Sequence, residues 1–306
     1  AVGIRTDAGS LTITGNAAIG GTTLRVGGVA NTTINGQVGD SANSSLMPAL
    51  GNLNAYWQLN ETSGTTAADS SGNGRTGTYV NGPTLNQTSQ NVGLGTAVQF
   101  NGTSQYVSTV AATTLGLNGS FTAMAWVNAA SLSGDRTIFG TDAASANTAL
   151  HLVLRNGVPH MGFFANDTAG TGTLLANTWY HIVWRYDATV GSGTQTIFVN
   201  GVQNATSGSH AAFAGTGTVN IGRWNSTNYF QGLIDEPAII GRALTNAEIS
   251  AIATGGQAGA LLKTGTGTMT LAGNNSYSGI TTVQQGNVIA KNSNALGTIA
   301  AGTTLA

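Results

Sequence analysis

The sequence predicts an all-β protein in which a β-sandwich is inserted into a β-helix, or solenoid. Three observations carry that expectation. Short alternating strands broken by Gly and Asn turns run through almost the whole chain, the two ends resemble each other, and all five Trp lie in the middle.

The ends come first. Leu11-Thr12-Ile13-Thr14-Gly15-Asn16 aligns with Met269-Thr270-Leu271-Ala272-Gly273-Asn274. The register continues without a gap: Gly21 meets Gly279, Thr23 meets Thr281, and Gly28 meets Gly286. Each unit reads strand, Gly-Asn turn, strand, Gly turn. Such a unit cannot bury its apolar side alone and must stack on copies of itself. Residues 1–45 and 255–306 are therefore expected to form rungs of one β-helix, with a globular unit over 46–254 interrupting it.

The middle is different in kind. Trp57, Trp126, Trp179, Trp184 and Trp224 supply bulk that a globular core needs and a narrow solenoid does not. Ala123, Ala125 and Val127 alternate with Met124 and Trp126, as in a strand buried on both faces. Val199-Asn200-Gly201-Val202 reads as a hairpin with a type I′ turn. The one helix signal is Leu244 to Ile252, where Thr245 and Glu248 form a capping box.

Composition narrows the function. Charged residues are 7% of the chain, against roughly a quarter in ordinary domains. Yet 41% of residues are hydrophobic and the net charge is −1, which argues against disorder. Lysine occurs only at Lys263 and Lys291, so no basic stripe exists for nucleic acid or anionic lipid. No apolar run is long enough to cross a membrane as a helix. The absence of Cys fits an extracellular protein held by β ladders, and the missing initial Met suggests a mature or excised segment.

Two resemblances follow from these residues. The stretch from Gly259 to Gly279, with Lys263-Thr264-Gly265-Thr266-Gly267 and Ala272-Gly273-Asn274, resembles the autotransporter-associated β-strand repeat; residues 1–40 resemble it more loosely. That likeness implies a β-helical passenger stalk on a bacterial surface. The middle resembles a laminin G-like, concanavalin A-like jelly roll. The stretches that carry this are Tyr56-Trp57-Gln58-Leu59-Asn60-Glu61, Asp69 to Gly74, Ala97 to Gly102, Phe121 to Val127, Trp179 to Trp184, Ile197 to Gly201, and Gly232 to Glu236.

The second resemblance implies a structural calcium site formed by Asp69, Asn73 and Asp235. Carboxylates and amide oxygens are the donors calcium prefers, although Asn60 stands where the family often carries Asp. The alternative is a metal-free Asx turn. For ligands, Arg223-Trp224-Asn225-Ser226-Thr227-Asn228-Tyr229, faced by Arg136, offers an aromatic platform with planar polar groups suited to glycans. Alternatively, Trp224 is core and the rest is solvated turn.

Catalysis has little to draw on. Glycosidases need two carboxylates flanking one bond. The chain has three Glu, one spent on the helix cap, and no strand presents acids at alternate positions. The expectation is no enzyme. The chain is read as a stalk or fibre segment of a bacterial surface protein displaying a lectin-like domain, with a carbohydrate-binding adhesin as the alternative and a glycan-active enzyme as a remote one. Its expected partners are copies of itself or further repeats at the β-helix ends, and glycans.

Overall fold

A computed structural model of the chain describes residues 2–14, 17–18, 23–35, 38–39, 47–90, 94–253, 260–273, 275, 281–293, 295–296 and 303–305. They form two compact units: Ala1–Leu46 with Thr254–Ala306, and Met47–Ala253.

The first unit is a parallel β-solenoid. One stack runs Val2–Arg5, Thr23–Gly27, Ala260–Lys263, Thr281–Val283, Thr303–Leu305. A second runs Ser10–Ile13, Asn31–Ile34, Thr268–Leu271, Asn287–Ala290, and a third pairs Ala17–Ala18 with Val38–Gly39. The two chain segments that flank the other unit pair directly, Leu24 facing Leu261 and Thr32 facing Met269. Positions matched in the sequence occupy the same stack, but spatial neighbours differ by one rung: Thr23 lies against Ala260 rather than Thr281. The aligned turns at Gly15-Asn16, Gly21, Asn274 and Gly279 lie outside the described residues.

Inside the stacks, Leu24, Val26, Ile34, Leu261, Met269 and Leu271 make the core. Glycine has a specific task at the turn after the first stack. Gly28, Gly265 and Gly286 all have positive φ, at +105, +76 and +82°. A Cβ on Gly28 would lie 2.1 Å from the Thr6 carbonyl oxygen, one on Gly265 2.5 Å from that of Gly28, and one on Gly286 2.4 Å from that of Gly265. Each rung therefore rests on the backbone of the last, and only Gly allows that approach.

The second unit is a sandwich of two antiparallel eight-stranded sheets. In one, strands Thr96–Asn101, Gln231–Ile240, Phe121–Ala129, Trp179–Asp187 and Thr194–Val199 lie side by side, with Leu53–Tyr56 also pairing with Gln231–Ile240. The unit's first and last strands thus meet in one sheet, as insertion into another fold requires. The core between the sheets holds Trp57, Phe100, Phe121, Ala125, Val127, Trp184 and Tyr186. Part of the first sheet's outer face is covered by the helix Asn246–Ala253 and the short turn Met47–Leu50, which bury Met124, Val183, Phe198 and Ile240. Phe121–Ala129 is buried on both faces for this reason.

Local expectations hold here. The Glu248 amide donates to Thr245 Oγ1 at 3.2 Å, and the Thr245 amide donates to Glu248 Oε2 at 2.8 Å. Asn200 and Gly201 take φ of 49 and 78°, and Val199 faces Val202, giving the two-residue turn. Among the described residues, no helix is long and apolar enough to cross a membrane.

Candidate functional site

The outer face of that first sheet changes character along its strands. Ala123, Ala125 and Val127 point into the core, so Met124, Trp126 and Asn128 point out. Residues directly opposite on paired strands share a face. Gln99 faces Leu233, Leu233 faces Asn128, and Asn128 faces Trp179. These four make one continuous row: amide, aliphatic, amide, indole. At roughly 4.8 Å per strand the row is about 14 Å long. A depression of about 350 Å³ opens on it, lined by Gln87, Gln99, Asn128, Asn177, Gly232 and Leu233 among others. Gly232, at φ +135°, makes the surface possible: a Cβ there would lie 2.1 Å from the Asn128 carbonyl oxygen.

Among the described residues, the side chains of Gln99, Asn128 and Asn177 make no hydrogen bond within the protein. Each offers an N–H donor pair and a carbonyl acceptor to solvent. Trp179 is half-buried beside Asn128.

The next row inward is Asp235, Trp126 and His181. It is buried: Asp235 is 0% exposed, His181 1%, Trp126 7%. The indole and imidazole centroids are 5.1 Å apart. The strand bulges here, because Met124 faces Ala238 while Trp126 faces Asp235, and Glu236 takes φ 55°. Ser89 donates its hydroxyl to Asp235 Oδ2, and Tyr56 donates its hydroxyl to Glu236 Oε2. Trp126 Nε1, His181 Nδ1, Asp235 Oδ1 and Glu236 Oε1 are buried without a partner. Burial pushes the Asp235 carboxyl up to about 8. Burial and then the neighbouring Asp235 raise Glu236 well above the usual range. Burial lowers His181 to about 3, so its ring is neutral.

The residues expected to hold calcium are not assembled for it. Asp69 Oδ1 accepts N–H bonds from Tyr56 and Ser71 at 3.0 and 2.9 Å, and its Oδ2 accepts from the Arg75 amide and Ser71 hydroxyl, both at 2.8 Å. Burial opposes ionisation there, but the N–H groups of Ser71, Arg75 and Tyr56 hold the carboxyl below its usual range. Asn73 donates its amide to the carbonyls of Leu53 and Asn54. Asp69 is thus an Asx-turn acceptor at the backbone of Tyr56, while Asp235 belongs to the buried cluster around the other, hydroxyl end of that side chain. Among the described residues, no three His, Cys, Asp or Glu side chains converge as a metal site. The three residues do not fit the ion that the resemblance implied.

The loop cluster is brought together but largely packed away. Strands Arg223–Trp224 and Asn228–Tyr229 form a hairpin, with Asn225 and Ser226 at φ of 51° each. Trp224 is 8% exposed and stacks on His151 with centroids 4.5 Å apart, so its ring faces the protein rather than a sugar. Arg223 pairs with Asp142 and lies 4.0 Å over the Tyr106 ring. Arg136 donates to the Tyr229 carbonyl and to Ser131 Oγ. Trp224 is therefore packed as core, while Asn225 is exposed and Asn228 and Tyr229 are half-buried; the Trp on the open amide face is Trp179, which the sequence marks only as part of the fold. Asn128 was legible as the next outward position after Met124 and Trp126, but Gln99 and Leu233 join it only through strand register.

The other two glutamates are also committed. Glu61 accepts from the Tyr79 hydroxyl at 2.6 Å and the Ala68 amide at 2.8 Å, and Glu248 from Arg242 and Thr245.

Comparison with known proteins agrees with this architecture. Residues 101–250 match the family model of the concanavalin A-like lectin/glucanases superfamily. The inserted unit is a concanavalin A-like domain, and residues 261–290 match the passenger-associated-transport-repeat, a repeat of secreted or surface passenger domains. No curated protein matches the chain. Among solved structures, domain 4 of AbnA, a GH43 extracellular arabinanase from Geobacillus stearothermophilus in complex with arabinotriose, is 22% identical. The alignment covers 66% of this chain and 98% of that domain, with a TM-score of 0.52. The receptor-binding domain of botulinum neurotoxin C/D mosaic serotype is 14% identical over 67% of this chain and 51% of its own, at 0.51. Trypanosoma rangeli sialidase is 17% identical over 66% of this chain and 33% of its own, at 0.50. At these identities the likeness is one of fold.

Proposed function

We propose that the chain is a segment of a bacterial surface passenger in which the solenoid is structural and the inserted domain binds saccharide through the Gln99–Leu233–Asn128–Trp179 row. The observation that carries this reading is the row itself. Sugars present hydroxyls that both donate and accept, beside apolar C–H faces. Free primary amides match the first and a half-buried indole the second. An arabinanase domain of the same fold that holds arabinotriose supports the reading by analogy. The reading assigns no chemistry on the glycan, because no carboxylate is among the described residues that line the depression, and Asp235 and Glu236 are buried behind it. The solenoid's partners are further rungs, from the same polypeptide or another copy, added through backbone ladders at the edge of Val2–Arg5.

The test is a glycan-array screen of the intact chain beside its Gln99→Ala and Trp179→Ala variants. Binding that weakens about tenfold or more in both variants, a loss of about 1.4 kcal/mol, is expected. Binding unaffected by either, or none to any glycan, refutes the saccharide reading.

A further inference from the structure

The face that would hold a glycan also has a charge character, and that character selects among glycans. Among the described residues lining the depression, none is charged. The nearest row behind it holds the Asp235 carboxyl, with Glu236 beside it in the bulge, and its one histidine, His181, is buried. Arg185 is the arginine on the same face of Trp179–Asp187. It lies six residues from Trp179, roughly 20 Å along the strand, and donates to the Leu244 carbonyl at 2.8 Å. Arg136 approaches the Ala130 end through Ser131, but its two terminal nitrogens donate to Ser131 Oγ and the Tyr229 carbonyl, and its Nε is buried.

An acidic sugar placed on this row would lose the water around its carboxylate and meet no cation in return, which is costly. The nearest carboxyls, Asp235 and Glu236, are buried behind the row and offer it no positive charge. Divalent cations offer no rescue. A sugar-bridging calcium needs several oxygen donors, usually including carboxylates, and the described lining residues supply only neutral amide, hydroxyl and backbone carbonyl oxygens. A neutral sugar suffers none of these penalties. The row's length of about 14 Å across four strands suits a short oligosaccharide laid across the strands rather than one ring.

Resting on the saccharide reading above, we infer that this face takes an uncharged oligosaccharide, bound directly by amide side chains without a divalent cation.

The experiment is calorimetric titration of the intact chain with arabinotriose, xylotriose and cellotriose, against trigalacturonate and sialyllactose, each with and without EDTA. At least one neutral trisaccharide should bind, unchanged by EDTA, with the acidic sugars about tenfold weaker or more. Gln99→Ala and Asn128→Ala should weaken that binding about tenfold. Gln99 is exposed, so its variant keeps the fold, which a melting curve verifies. Acidic sugars binding as tightly as neutral ones, or binding abolished by EDTA, overturns the inference. If that binding is still lost in Gln99→Ala, the saccharide reading survives and only the charge selection fails. If none of the five sugars binds, the inference fails; a glycan array that is also blank removes the saccharide reading with it.

Discussion

Lys263 shows how a residue can contradict its surroundings and still be required. It stands in register with Val26 and Val283 in an apolar column of the solenoid and is 2% exposed. Its ammonium donates to the carbonyls of Thr264, Gly265 and Gln285 at 2.8, 2.5 and 3.2 Å, tying the turns of two rungs together. Lys263→Met keeps the length and loses the donors, leaving carbonyls of the Gly turn unpaired. Each orphaned buried group costs about 1–3 kcal/mol. Denaturant titration should show a loss in that range, and an unchanged midpoint would mean that water satisfies those carbonyls as well as the amine does. Asp235 is the opposite case, a buried group whose partners are incomplete. Burial raises its pKa to about 8 when folded, against an ordinary 3.8 for an exposed Asp. Between those values the unfolded chain has released a proton that the folded chain keeps. Stability is therefore fully present below about pH 4, falls as pH rises, and levels off above about 8, a total on the order of a few kcal/mol. Asp235→Asn can still accept from Ser89 and does not titrate. Its stability relative to wild type should rise across that window, and parallel pH profiles for the two proteins would contradict the assignment.

Elements differ in how much of them the sequence discloses, and the difference is one of range. The helix Asn246–Ala253 was legible because its start is specified by residues three apart, and Thr245 and Glu248 bond as the capping box requires. Arg242 adds a second partner to Glu248, and its hydrogen bond is the main reason the carboxyl is drawn down to about 2. Glu248→Ala removes both contacts and should cost about 1 kcal/mol in chemical denaturation. A neutral effect would show that the packing of Ile249 and Ile252 sets the helix alone. The Asn200-Gly201 hairpin was legible for the same local reason. The amide row was not, because Gln99, Leu233, Asn128 and Trp179 come from four strands whose registers are fixed by distant pairing and by the bulge at Glu236. Whether Trp224 is platform or core is left open by the same limit. Its neighbours in sequence are polar and turn-forming, but its neighbour in space is His151. At Asp69 the sequence leaves a calcium ligand and an Asx turn both open, and what it cannot supply is the separation between that carboxyl and that of Asp235, which lie at opposite ends of Tyr56.

At the scale of the whole molecule, the chain builds one solenoid from two segments and places a complete fold between them. All of the sandwich's buried clusters are drawn from residues 47–253, and the solenoid's from residues outside them. Each unit therefore carries its own hydrophobic core, and the two should be separable by cutting. The excised segment 47–253 should fold alone, since its first and last strands already pair, Tyr56 with Ala238. The two solenoid segments should behave differently. Residues 1–46 supply the strands of two rungs, and the C-terminal segment supplies two more and the start of another. Stacked repeats need about three units before the buried faces outweigh the chain entropy lost. Neither piece reaches that number securely on its own, and they are joined by parallel ladders and by contacts such as the Val38 amide donating to Asn275 Oδ1, 237 residues away. Peptides 1–46 and 254–306 should thus be mostly unstructured apart and gain β circular dichroism when mixed, with a melting transition that rises with concentration. Cooperative melting of 1–46 alone, at a temperature the second peptide does not change, would show that two rungs suffice and that the ladder across the insertion adds nothing to stability.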